Sequence, residues 1–135
     1  MTAQSLDQLE YEGRDVFCHG PDMPANHPRV RNDGEGLPMP TSMLRGYRAT
    51  WALRQEVLYL LSVWGQWSML GDEPVPADWV TGEIAIPVGA VIGDELWGPV
   101  HERTLYLQIA TGRLVATRQV KNAPPPPVQD LSIDE

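Results

Sequence analysis

Along the middle of the chain, apolar side chains recur at every second position. In RGYRATWAL, Tyr47, Ala49, Trp51 and Leu53 fall on one face of an extended strand, while Arg48, Thr50 and Ala52 fall on the other. Arg54, Gln55 and Glu56 form a polar turn. VLYLLSVWG at 57–65 then resumes as a second strand, apolar on nearly both faces as a central strand is. These positions place Trp51 and Trp64 in the core. TGEIAIPVG at 81–89 points Ile84 and Ile86 one way and Glu83 and Ala85 the other, with Pro87 and Gly89 as stops. RTLYLQI at 103–109 and RLVATRQV at 113–120, joined by Ala-Thr-Gly, form a hairpin. Between 66 and 80 no 3.6-residue pattern supports a helix, and no longer repeat is present.

The flanks differ from this middle. CHGPDMPANHPRVRNDGEGLPMPT carries five prolines in 24 residues, which excludes continuous helix or central strand; a long ordered loop is expected there, preceded by one short strand at 12–17. APPPPVQDLSIDE at 123–135 favours polyproline II followed by a disordered acidic end. The expected organisation is an irregular segment over 1–44, an antiparallel β domain over 45–122 and a disordered Pro-rich tail over 123–135. The fold class is mainly β: an antiparallel meander that forms a small barrel or a sandwich.

Composition narrows the function more than the fold. The 135 residues suffice for one domain, and 13 Pro and 12 Gly fit many turns. Eighteen acids against ten bases give a net charge of −8, spread along the chain, which disfavours binding nucleic acid through its phosphates. MTAQSLDQLEYEG lacks the basic and apolar regions of a secretory signal, and no apolar run approaches the roughly 20 residues that span a bilayer. A lone Cys18 fits a reducing compartment, so a cytoplasmic protein without membrane contact is expected.

The order RGYRATW, LYL, ADWVTGEIAIPVG and then Glu102 before LYLQIATG resembles a group of small bacterial proteins without an established activity. The resemblance covers about residues 45 to 122 and implies a β fold and a bacterial origin, but no mechanism. Ala52 stands where the group's pattern has a glutamate, and IGDELWGPV at 92–100 replaces a more tyrosine-rich stretch.

Chemical motifs are sparse. Cys18, His19, Asp22 and His27 are metal-ligand types, but Cys18 and His19 are adjacent and no C-x₂-C or H-x₃-H pair exists, so neither a metal nor a cofactor is expected. Cys18 with His101 and Glu102 is the one nucleophile–base set that can be drawn, and nothing in the sequence places it together. The acidic pairs Asp72–Glu73 and Asp94–Glu95 adjoin turn formers, where carboxylates are solvated. Trp67, Trp79 and Trp97 lie beside Gly and Pro and, with Asp94 and Glu95, are the candidates for contact with a partner. The leading expectation is a non-enzymatic acidic binding protein for a basic protein partner, of the inhibitor or immunity type. The alternatives are a small-molecule or hydrolytic site inside a barrel, lined by Tyr47, Tyr59, Trp79, Glu83 and Glu102, and a self-associating homodimer joined at an edge strand such as 81–89.

Overall fold

The computed structural model describes residues 6–34, 36, 38–39, 43, 45–95 and 98–124. Ten strands are described: β1 (Asp7–Tyr11), β2 (Arg14–Cys18), β3 (Val30–Asn32), β4 (Tyr47–Arg54), β5 (Val57–Gly65), β6 (Trp67–Met69), β7 (Val75–Pro76), β8 (Gly82–Glu95), β9 (Gly98–Ala110) and β10 (Arg113–Lys121). Eight of them form one sheet in the order β2-β1-β4-β5-β10-β9-β8, with β7 attached to β5; β3 and β6 form a second, small sheet. No helix among the described residues is long and apolar enough to cross a membrane.

The mainly β reading therefore holds, and the sheet curls into a sandwich-like meander instead of closing. Among the described residues its two end strands are linked by one isolated bridge, where the His19 amide donates to the Ala85 carbonyl at 2.9 Å. Leu9, Trp51, Leu58 and Leu60 from the first half pack with Ile84, Ile86, Leu107 and Ile109 from the second, and all are buried. Val75, Ala77 and Val80 of the connecting segment complete this core.

Three expectations need correction. The meander is not wholly antiparallel: β1 and β2 form a hairpin, and β1 then pairs in parallel with β4, with Leu9 opposite Trp51. The strand expected at 12–17 is the second arm of that hairpin, and Glu12 and Gly13, both at positive φ, are its turn. Pro87 and Gly89 do not stop the third expected strand, because β8 is an edge strand. A proline without an N–H loses nothing on an unpaired side, and register shifts between Val88 and Gly93 absorb the irregularity.

The third correction concerns Trp64, which is 57% exposed. Thr50 pairs with Ser62 and Trp51 with Leu60, so Leu61 is an extra residue in β5. Such a bulge shifts the alternation by one position. Leu58 and Leu60 face inward before it and Val63 after it, which turns Ser62 and Trp64 outward. The hairpin at 103–120 forms as expected, on a tight turn at Thr111 and Gly112, with β9 extending back to Gly98. The reading of the tail as disordered concerns residues of which all beyond 124 lie outside the described set.

Trp51→Ala is expected to destabilise the fold by about 3–5 kcal/mol, as loss of a fully buried aromatic does. Trp64→Ala is expected to stay within about 0.5 kcal/mol of the parent. Urea titration of both variants checks the bulge, because an inward Trp64 would make the two losses similar.

Candidate functional site

The outward turn of Trp64 builds a site. On β2 the alternation buries Cys18 and half-buries Val16, so Phe17 between them points out and is 61% exposed. Phe17 lies opposite Gln8, Gln8 opposite Thr50, and Thr50 opposite Ser62, in one row across four strands. Two residues along, Trp64 lies opposite Arg48. Leu6, Gln8, Phe17, Arg48, Ala49, Thr50, Ser62 and Trp64 line an open groove of about 430 Å³. Its walls are two aromatic rings, roughly 15 Å apart across three strand spacings. Its floor carries an amide, two hydroxyls and a guanidinium, and it has no arrangement of acid, base and nucleophile. What it offers is stacking area and hydrogen bonds.

Acidic groups continue the same surface. Glu12 and Asp15, on the β1–β2 hairpin, are exposed and stand outside the ion pairs found among the described residues. Glu10 is held by Arg54 at 2.7 Å, and that guanidinium keeps its carboxyl below the usual range.

Behind the groove lies a polar cluster around one buried carboxylate. Asp7 is fully buried; its carboxylate accepts from the Ala49 amide at 3.0 Å, from Trp51 Nε1 at 2.9 Å and from Arg45 Nη2 at 2.6 Å. Arg45 also stacks on the Tyr47 ring, 4.4 Å from its centroid, and the Tyr47 hydroxyl donates to the Pro21 carbonyl at 3.2 Å. Gly20 packs so closely on Asp7 that a Cβ there would overlap the carboxylate. The cluster thus fastens the segment after β2 to the sheet. It is saturated with protein partners and offers little to a ligand.

The residues singled out from the sequence are dispersed. Trp67 packs edge-on against Tyr47 with ring centroids 6.4 Å apart. Trp79 donates its Nε1–H to the Asp22 carbonyl at 2.8 Å and lies against His27 and Trp51. Both are half-buried. Asp94 is exposed near the far end of β8; Trp97 and the Glu95 side chain lie outside the described residues. Tyr47 is buried in the Asp7 cluster, and Tyr59 is half-buried between Ala52 and Pro76 on neighbouring strands. Glu83 is paired with Arg118 at 3.0 Å, and Glu102 Oε1 accepts the Ala90 amide at 2.7 Å inside the β8 irregularity. Each of Tyr47, Glu83 and Glu102 thus has its own local partner, and the structure does not bring these candidates together.

Among the candidate metal ligands, Cys18 is buried while the adjacent His19 is exposed, and His27 Nδ1 accepts the Arg29 amide at 3.0 Å. No group of three or more His, Cys, Asp or Glu placed to hold a metal occurs among the described residues. The Cys18 thiol is pushed up to about 12 by burial and by the Asp7 carboxylate, so it is not an activated nucleophile at neutral pH. Comparison with protein-family models, with curated proteins and with solved structures finds no match to this chain.

The sequence reading missed Phe17, although the alternation of Asp15 and Phe17 against Val16 and Cys18 is a signal that could have found it. Trp64 had no such signal, because nothing in Leu60-Leu61 marks which residue is the extra one.

Burial also pushes the Tyr47 phenol up to about 12, against the pull of Arg45, and it raises Tyr11. Both Cys18 and Tyr47 keep protons in the folded chain that the unfolded chain releases near the ordinary values of 9.0 and 10.0. Fewer protons on the unfolded state mean that stability falls as pH rises. Urea midpoints are expected to be unaffected by these two groups below pH 9 and to drop between about 9 and 12. In Tyr47→Phe the part of the drop that begins near 10 is expected to shrink, and the remainder belongs to Tyr11.

Proposed function

We propose that this chain is a non-enzymatic binding protein that engages a protein partner through the groove between Phe17 and Trp64. The observation that carries the reading is the contrast among the aromatics. Trp51, Trp67 and Trp79 are packed into the body, whereas Phe17 and Trp64 stand exposed on one sheet face with a polar floor between them. Leaving two large rings in water has no benefit to a folded monomer, and paired aromatic anchors around hydrogen-bonding groups are the composition of an interface centre.

Charge favours a basic partner. The net charge is −8, and Glu12 and Asp15, on the β1–β2 hairpin that supplies Phe17, have no ion-pair partners among the described residues. Opposite potentials speed the encounter and make it salt-sensitive. An inhibitor or immunity-type role in the cytoplasm, masking the basic surface of another protein, fits this arrangement. The setting accords with the single reduced Cys18.

The test uses immobilised full-length chain and the Phe17→Ser/Trp64→Ser variant. A basic partner is expected to be retained by the parent, released as salt rises, and bound more weakly by the variant by at least about 30-fold, the effect of losing a single anchor worth about 2 kcal/mol. Equal retention by both chains, or binding indifferent to salt, contradicts the proposal.

A further inference from the structure

A second surface arises from the way β10 leaves the sheet. On its β5 side β10 makes one pair, Arg113 with Val57, supported by bonds from the Leu58 amide to Gly112 and from the Leu114 amide to Glu56. Beyond that point β7 takes the edge of β5 instead, pairing Val75 and Pro76 with Leu60 and Tyr59. The short segment 75–80 thereby wedges β5 and β10 apart. Among the described residues no strand pairs with β10 on that side from Val115 to Lys121, and these seven residues are all exposed. An open strand edge of this length is a template for another strand.

The charge on this edge is unlike that of the rest of the chain. β10 carries Arg113, Arg118 and Lys121 and no acid, within a chain of net charge −8. Lys121 lies directly opposite Arg103 of β9, and neither belongs to an ion pair found among the described residues. Like charges directly opposite on neighbouring strands repel. Two β10 edges brought together would add to that repulsion, so β10 does not suit pairing with itself. It suits a strand that brings carboxylates.

The sequence of the chain offers such a segment. In VQDLSIDE at 128–135 apolar and polar residues alternate from Asp130 to Asp134, as Asp-Leu-Ser-Ile-Asp, and the segment carries three acids and no base. We infer that residues 128–135 of a second copy add to the free edge of β10, in a reciprocal exchange that makes a dimer. The four prolines at 124–127 decide between the chain's own edge and a partner's. Extended as polyproline II they span about 12 Å. A chain that turned back at once would lay this donor-poor rod along Lys121 to about Arg118, a strand rising about 3.4 Å per residue. Only three edge residues, Val115 to Thr117, would then remain before the β5 junction, too few for an eight-residue strand. The same rod lets the segment reach a neighbouring copy, whose whole edge from Val115 to Lys121 is open. Main-chain bonds then give affinity, and the carboxylates answer Lys121 and Arg103, while Arg118 keeps its pair with Glu83.

Light scattering of the full chain is the test, with Leu131→Pro as the variant that removes a main-chain donor from the added strand. The parent is expected to have twice the chain's mass and Leu131→Pro to have the mass of one chain. Lys121→Glu is expected to weaken the dimer, and a synthetic VQDLSIDE peptide in excess to dissociate it. A monomeric parent at concentrations well above micromolar overturns the inference, as does a dimer that Leu131→Pro leaves intact. Monomers whose 128–135 amides resist hydrogen exchange would mean that the segment returns to its own chain, and would also overturn it. A dimer lost in Trp64→Ser but kept in Leu131→Pro would assign self-association to the groove and reject the exchange.

Discussion

A fully buried carboxylate organises the N-terminal half of this protein. A charge removed from water is tolerable only when its lone pairs are taken by donors, and Asp7 has a backbone amide, an indole N–H and a guanidinium. The parallel ladder between β1 and β4 is only three residue pairs long, and Asp7 extends it: its side chain accepts the Ala49 amide just beyond the last pair. The same carboxylate orients Trp51, the largest fully buried side chain, and through Arg45 and Tyr47 it secures the loop at Pro21. Gly20 is the residue that lets this loop approach so closely.

Both proposed surfaces arise from local departures from regular pairing. One extra residue in β5 sends Trp64 outward and, with Phe17, creates the groove. One two-residue strand, β7, occupies the edge of β5 that β10 would otherwise cover, and leaves β10 without a strand on that side among the described residues. The core itself follows simple alternation, and the irregularities carry the places where another molecule can be met.

Period-two alternation was enough to find β4, β5, the start of β8 and β9, because each buries one face against a common core, and β10 was found through the Ala-Thr-Gly turn that joins it to β9. It was not enough for β1. DQLEY holds only Leu9 and Tyr11 as apolar positions, and its partner β4 lies some forty residues away, so nothing local marks it. Asp7 was passed over for a related reason: an aspartate destined for the interior is written no differently from one on the surface, and its three donors come from residues 45 to 51. Pro87 and Gly89 were read as stops because sequence does not tell an edge strand from a central one. The tryptophans in irregular segments were natural candidates for exposure, yet Trp67 and Trp79 found partners in the loops, and the exposed ring came from inside a strand.

The dependence of the fold on Asp7 is measured most directly by a double-mutant cycle between Asp7→Ala and Trp51→Phe, read by urea denaturation. Trp51→Phe removes the indole donor and keeps an aromatic ring in the core. If the buried carboxylate and the indole act as one unit, the losses are strongly non-additive, with a coupling on the order of 2 kcal/mol. Additive losses, with Asp7→Ala costing no more than a surface substitution, would contradict the account.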